Sequence, residues 1–230
     1  MLRKTFGQEL QQLKDNTIEL GQIVQKMLLQ SVDALKNRDI EVSKQILDLD
    51  VEVNRRRFEI ENQVLVLIAT QQPMAYDLRL LASILEIAGE LERMGDYAKG
   101  IAHINLRMGD APLVKPLIDI PRMADKSCDM LNRALQAFLE EDEQAARSIP
   151  SEDDEVDSLY LQVYRELITY VIQDPTTIER ANWLLWAAHN LERVADRVTN
   201  ICERTIYVVT GVMKEINSSD DEFKTLQEED

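Results

Sequence analysis

Two pairs of acidic residues with the same spacing are the positions in this sequence that could carry chemistry. Glu92 precedes Asp96 by four residues, and Glu192 precedes Asp196 by four residues. On a helix this spacing places both carboxylates of a pair on one face, about one turn apart. Adjacent carboxylates repel each other, and partial burial adds to that cost unless a cation or a proton compensates. A bound metal ion is therefore one explanation of each pair.

A second set of polar side chains lies upstream of each acid pair. Asp50 and Asn54 are four residues apart, and so are Asp153 and Asp157. Oxygen donors from two adjacent helices could form half of a metal-coordination shell, which water or a partner would complete. The candidate metal ligands are Asp50, Asn54, Glu92, Asp96, Asp153, Asp157, Glu192 and Asp196.

The phase of the acid pairs on their helices favours partial burial, because the residues that precede them at helical spacing are apolar. The preceding apolar residues are Ala88, Leu85 and Leu81 in the first copy and Ala188, Leu185 and Ala181 in the second.

Arg93 and Arg193 leave an alternative open, in which each arginine pairs with a carboxylate and no metal is needed.

The elements that must position these acids are helices. From Leu10 to Ala34, residues recur at alternating spacings of three and four that are typical of a helix packed against near-parallel neighbours. Only 7 Gly and 6 Pro leave little turn chemistry for a sheet. Pro73 and Gly109 stop the second and third helices. We predict helices at about 6–37, 39–71, 73–108, 118–147, 152–173 and 175–211.

The second half of the chain repeats the first. At an offset of 103 residues Asp50 falls on Asp153, and after a net deletion of three residues an offset of 100 places Glu92 on Glu192. We therefore predict an all-α fold of two tandem three-helix bundles, with six long helices related by internal duplication. The predicted units are a first bundle at 1–111, a second at 112–213 and an acidic, disordered tail at 214–230.

Composition excludes several classes of function. The net charge of −16 argues against binding to nucleic-acid phosphates or anionic lipids. Cys128 and Cys202 have no CxxC partner, so we expect buried free thiols rather than a zinc knuckle or a disulfide framework. The N-terminus is charged from the start and no apolar run approaches about 18 residues. We expect a cytoplasmic protein without a transmembrane segment.

Other candidate residues point to packing. His189 lies three residues before Glu192, but the Glu-x-x-His order of bundle-type di-iron enzymes is absent. Aromatic residues at helical spacing usually pack, so we expect Trp183 and Trp186 to fill the second core. No Gly-rich phosphate loop, Cys-His pair or Gly-x-Ser-x-Gly motif is present.

Five stretches of the chain together resemble the PhoU family. The resemblance spans roughly residues 6 to 211 and includes both copies in order. The stretches are Gln72-Pro73 with Asp77-Leu78-Arg79, Glu92-Arg93-Met94-Gly95-Asp96, the run from Leu191 to Asp196, Asn200-Ile201-Cys202-Glu203, and the run from Tyr207 to Gly211.

The resemblance implies two three-helix bundles whose E/D-x-x-x-D motifs hold metal ions. Multinuclear iron is the expected metal, with zinc, manganese or magnesium as alternatives. Asn54 departs from the motif, because an amide replaces a carboxylate, and Ala195 stands where the first copy has Gly95. We expect the second copy, with its extra carboxylate, to hold its ion more tightly than the first.

By resemblance, the chain is a negative regulator of phosphate uptake and of the phosphate-starvation response rather than an enzyme. It would link the ATPase subunit of a high-affinity phosphate ABC transporter to a phosphate sensor histidine kinase, and reach the membrane only through these partners. We expect a homodimer. Two alternatives stay open: a carboxylate-bridged metal enzyme, and a metal-free structural adaptor whose acids pair with Arg93 and Arg193.

Overall fold

The computed structural model describes residues 2–216, and in this range it contains helices and no strands. The predicted all-α class is confirmed. Short 3₁₀ turns at Ile149–Glu152 and Pro175–Thr177 precede α6 and α7. The helices are α1 Leu2–Asn37, α2 Ile40–Gln71, α3 Tyr76–Met108, α4 Asp119–Glu140, α5 Glu143–Ser148, α6 Asp153–Gln173 and α7 Ile178–Thr210.

The turn after the first helix of each repeat has the same construction. Arg38 and Glu141 are 103 residues apart, and both adopt a positive φ, 59° and 58°, that ends the preceding helix. Asp39 and Asp142 then accept backbone N–H groups three residues ahead, at 2.9 and 3.0 Å, and so cap the next helix. These turns support the internal duplication. They also end α4 at Glu140, so the prediction of one helix to 147 was wrong.

A proline divides the second long helix of the second repeat. Pro150 lies in the 3₁₀ turn between α5 and α6, and it has no N–H with which to continue the α-helical hydrogen bonds. In the first repeat α2 is continuous. Asp153 therefore begins α6, whereas its counterpart Asp50 lies inside α2. Counting α5, its 3₁₀ turn and α6 as one interrupted rod leaves six long helices, as predicted.

Four helices join the two repeats at the centre of the molecule. α3 packs against α7 and α1 against α4, while α2 and α6 each pack on the outer side of their own repeat. α3 and α7 run antiparallel: Ser83 lies beside Arg204, and Glu90 beside Arg197. The predicted apolar positions of α1 are buried from Leu10 onward.

Two further predictions concern single side chains. Cys128 and Cys202 are buried free thiols, as expected. Trp183 packs half-buried against the core, but Trp186 is 60% exposed, so the prediction that both tryptophans fill the second core was wrong for Trp186. Both rings lie on the same side of the buried stripe of α7, but the three-residue separation places Trp186 about 60° farther from it than Trp183.

The chain after α7 turns back onto that helix. The backbone N–H of Ile216 donates to Glu203 Oε1 at 2.7 Å, and the Ile216 side chain packs half-buried against the core. The rest of the predicted tail, 217–230, lies outside the described residues. Within the described part of the chain, no helix combines the length and apolar character needed to cross a membrane.

Candidate metal centre

In the first repeat, the acids face one another across the contact between α2 and α3. Asp50 on α2 is 4% exposed, Glu92 on α3 is half-buried, and the Asp96 side chain is 52% exposed. A lysine also reaches this cluster. Lys99 Nζ lies 2.6 Å from Asp50 Oδ2 and 3.8 Å from Asp96 Oδ1. The structure thus brings the predicted acids together, but around an ammonium group.

The electrostatics of the first cluster reflect this arrangement. The hydrogen bond to Asp50 is the main cause of a raised pKa for Lys99, so its ammonium form is favoured. Burial raises the pKa of Glu92, and the charge of Asp96 acts in the same direction. Arg57 on α2 faces Glu92 and acts in the opposite direction. Lys99 and Arg57 are therefore part of this cluster, together with Arg93, whose charge also lowers the pKa of Glu92.

The first repeat also differs at the amide position. Asn54 Nδ2 donates to the backbone carbonyl of Asp50 at 3.0 Å, one turn back on the same helix. Its N–H group is therefore directed at the helix backbone rather than at the α3 acids.

In the second repeat, Asp153 is the buried member of the cluster. It is 4% exposed, and its Oδ1 atom has no hydrogen-bond partner among the described residues. Burial is the largest cause that raises its pKa to about 7, followed by the charges of Asp157, Asp196 and Glu192. The charges of the other three predicted acids of this repeat therefore act on the Asp153 carboxyl group at the start of α6.

Two other side chains contact the second acid pair. Arg193 Nη1 lies 2.7 Å from Asp196 Oδ2, so the arginine pairing considered from the sequence does occur on this helix. His189 Nδ1 lies 3.1 Å from Glu192 Oε2, which places an imidazole at the rim of the cluster. The sequence pattern does not predict a ligand at His189, but its contact with Glu192 makes it a further candidate donor.

The acids of α3 and α7 lie at the edge of the buried stripe rather than in its centre. Leu91 and Leu191, one position before the glutamates, are fully buried, as are Gly95 and Ala195 beside the aspartates. Close packing of Val53 against Gly95 leaves little room behind the first cluster. In residues 2–216 no three acidic, imidazole or thiol groups are already arranged to chelate an ion, so a bound metal would require these side chains to move closer together.

Sequence reasoning missed four residues beside the acids. They are Lys99 and Arg57 in the first repeat and Thr199 and Tyr160 in the second. The offsets that relate the two acid pairs would have found them, because they place Thr199 at the position of Lys99 and Tyr160 at the position of Arg57. Thr199 is buried, and its Oγ1 has no hydrogen-bond partner in the described range. The Tyr160 ring lies 6.1 Å from the His189 ring.

Comparison with protein families finds both repeats. The family model for the PhoU domain matches residues 17–104 and 120–205. A relative from Clostridium acetobutylicum, a "phosphate-specific transport system accessory protein PhoU homolog", is 33% identical over 94% of this chain and 100% of its own length. A homolog of the same description from Caulobacter vibrioides is 36% identical over 90% of this chain and 91% of its length.

Solved structures agree with these sequence matches. The crystal structure of the phosphate transport system regulatory protein PhoU from Streptococcus pneumoniae has a TM-score of 0.84 and 32% identity, covering 92% of this chain and all of that one. The crystal structure of PhoU from Pseudomonas aeruginosa has a TM-score of 0.83 and 32% identity, covering 90% of this chain and all of that one.

Proposed function

The chain belongs to the PhoU family, and from that premise we propose that it is an accessory protein of a phosphate transport system that restrains phosphate uptake and the starvation response. The observation that carries the proposal is correspondence over nearly the full length. Relatives named as phosphate-specific transport system accessory proteins align with 94% and 90% of this chain, through both repeats. Their names describe accessory proteins, which supports a regulator over the alternative of a metal enzyme.

We propose that its partners are the ATPase subunit of a phosphate ABC transporter and a sensor histidine kinase. Exposed apolar side chains on the outer helices support protein contacts there, since such a stripe is unusual on a surface that stays in water. Phe58 and Leu65 on α2 occupy the positions of Leu161 and Ile168 on α6, and all four are exposed. The proposal includes a cytoplasmic location, peripheral association with the membrane through these partners, and a homodimer.

We also propose that the second repeat binds metal through its carboxylates. Asp153, Asp157, Glu192 and Asp196 would hold the ion. The observation in favour of this fit is that Oδ1 of buried Asp153 has no hydrogen-bond partner within residues 2–216. An oxygen-rich donor set suits hard cations. A bound iron ion would neutralise the acids and could offer a coordination position to a phosphate oxygen.

A deletion strain tests the regulatory role. In phosphate-rich medium, loss of the protein should make a phosphate-starvation reporter and phosphate uptake constitutive, and the wild-type gene should restore repression. Unchanged reporter expression in the deletion strain would contradict the proposed function.

Complementation separates the site from the fold. The double variant Asp153→Asn, Asp157→Asn should fail to restore repression if the acids are needed. The matched control is Asp154→Asn, on the same turn of α6 but exposed, which should complement like the wild type. Pull-down of the ATPase subunit and of the kinase with the same variants then tells whether the acids act on partner binding. Equal complementation by all variants would remove the acids from the regulatory function.

A further inference from the structure

A lysine contacts the acids of the first repeat, and the equivalent residue of the second repeat is uncharged. On α3, Lys99 donates to Asp50 Oδ2 at 2.6 Å and lies 3.8 Å from Asp96. On α7 the equivalent position is Thr199, a neutral residue. An ammonium group within hydrogen-bond distance of a buried carboxylate supplies the compensating charge that burial demands.

A second position changes in the same direction. Arg57 on α2 pairs with Glu61 at 2.7 Å and faces Glu92, whereas the equivalent residue on α6 is Tyr160, which is uncharged. Both repeats have an arginine after the glutamate, Arg93 or Arg193, and beyond it the first repeat has two more cations beside three acids. The second repeat has four acids, and both of these cations are replaced.

In the second repeat Arg193 pairs with Asp196 and His189 contacts Glu192, but the buried polar groups, Asp153 and Thr199, are oxygen donors. Asp153 and Thr199 are 4% and 6% exposed, and Asp153 Oδ1 and Thr199 Oγ1 both lack a hydrogen-bond partner among the described residues. In the first repeat Asp50 Oδ1 also lacks a partner, but Asp50 Oδ2 accepts from Lys99. Buried polar atoms are rarely left without a partner, so a partner is missing in the second repeat.

We propose that Lys99 is a built-in counter-ion that occupies the place of the metal in the first repeat, so that only the second repeat of this chain binds metal. This inference rests on the proposed metal binding. A cation entering the first cluster would have to displace the Lys99 ammonium from Asp50 and would be repelled by it at short range. Thr199 and Tyr160 present no such barrier. The two repeats thus share a fold but differ in what neutralises their acids.

Reciprocal exchange of the two residues tests the proposal. Purified wild type, Lys99→Thr and Thr199→Lys are stripped with chelator, loaded with ferrous iron under argon, desalted and analysed for iron, with Mn²⁺ as a second probe. Thr199→Lys should lose the metal. Lys99→Thr should gain a second occupied repeat, about a twofold rise in metal content, because a freed carboxylate is required for binding. Lys44→Thr, an exposed lysine on α2, is the control and should match the wild type.

Site variants assign the metal to a repeat. In the wild-type background, Asp196→Ala should abolish binding and Asp96→Ala should leave it nearly unchanged. In the Lys99→Thr background, each should remove about half of the metal, because each then removes one of two sites. Circular dichroism checks that every variant is folded, and Lys99→Gln replaces Lys99→Thr if the latter unfolds.

The outcomes separate this inference from the proposed metal binding. If wild type and all variants bind no metal, both fail. If the wild type binds metal but Asp96→Ala and Asp196→Ala lower the content equally, or if Thr199→Lys keeps its metal, the role of Lys99 alone fails.

Discussion

Gln25 donates from Nε2 to the backbone carbonyl of Cys128 at 2.8 Å, although the two residues occupy the same position in the two repeats. The contact is reciprocal, since Cys128 Sγ lies 3.9 Å from the carbonyl of Gln25. Equivalent residues can meet only near a two-fold axis. An approximate two-fold axis therefore passes between α1 and α4, and the repeats pack on each other through like faces.

Close packing near this axis predicts an unusual response to substitution at Gly21. A methyl group there would overlap the buried side chain of Leu135 on α4, whereas one at Gly89 would meet nothing within 4 Å. Gly89→Ala should stabilise the protein by about 1 kcal/mol through helix propensity. Gly21→Ala should be less stable than Gly89→Ala by about 1–3 kcal/mol because of overpacking. Urea denaturation measures both, and equal stabilisation would mean that α1 and α4 are not in close contact.

The pair of Glu90 and Arg197 predicts coupling between the repeats. The two side chains are 14% and 17% exposed, and Arg197 Nη1 lies 3.4 Å from Glu90 Oε2. Arg197→Met should cost about 2–3 kcal/mol, because it leaves a largely buried carboxylate without its partner. Adding Glu90→Met should restore part of that loss. Arg147→Met, from an exposed pair with Glu143, is the control and should cost less than about 1 kcal/mol. Additive losses in the double variant would argue against the coupling.

Glu152 predicts a defined pH dependence. Two 2.7 Å contacts with Arg133 and one with Lys126 lower its pKa to about 2. The pKa in the folded state is below the ordinary value of 4.5, so the stabilisation is complete above pH 4.5 and is lost as the pH falls towards 2. Because the cluster remains in contact with water, we expect about 1 kcal/mol.

The test is Glu152→Gln, measured by urea denaturation between pH 7 and pH 3. At pH 7 the variant should be less stable than the wild type, and the difference should shrink as the pH decreases. Glu41→Gln, from the exposed pair with Lys44, is the control and should show a smaller difference from the wild type at pH 7. A constant difference across the range would show that the carboxylate charge is not the cause.

The C-terminal segment predicts a boundary at Ile216. A chain that ends after Ile216 should keep its free energy of unfolding within about 1 kcal/mol, because 217–230 has no apolar stripe and is strongly acidic. A chain that ends after Gly211 should lose about 1–3 kcal/mol. It removes the Ile216 side chain, which packs against the core, and leaves half-buried Glu203 without its donor. A large loss of unfolding free energy in the chain that ends after Ile216 would mean that 217–230 docks on the bundle.

Periodicity and internal comparison were enough to predict much of the fold. Apolar spacing from Leu10 to Ala34 placed the buried face of α1 correctly, and Gly109 ended α3 as expected. The end of α4 was missed because Glu141 adopts a left-handed φ, and no glycine marks that turn. Trp186 was missed because spacing along one helix does not reveal which side its neighbours cover.

The sequence by itself determined the duplication, the helical class and the identity of the eight candidate ligands, because offsets and periodicity are properties of one chain read in order. Only the tertiary structure decided what neutralises the acids. Asp50 and Lys99 are 49 positions apart on different helices, and they meet because α2 packs on α3. Spacing along a helix predicts neighbours on that helix, whereas a contact between helices depends on their rotation and relative shift. For that reason the charge difference between the repeats became visible only after folding had joined Lys99 to Asp50 and left Asp153 with a buried, partnerless oxygen among the described residues.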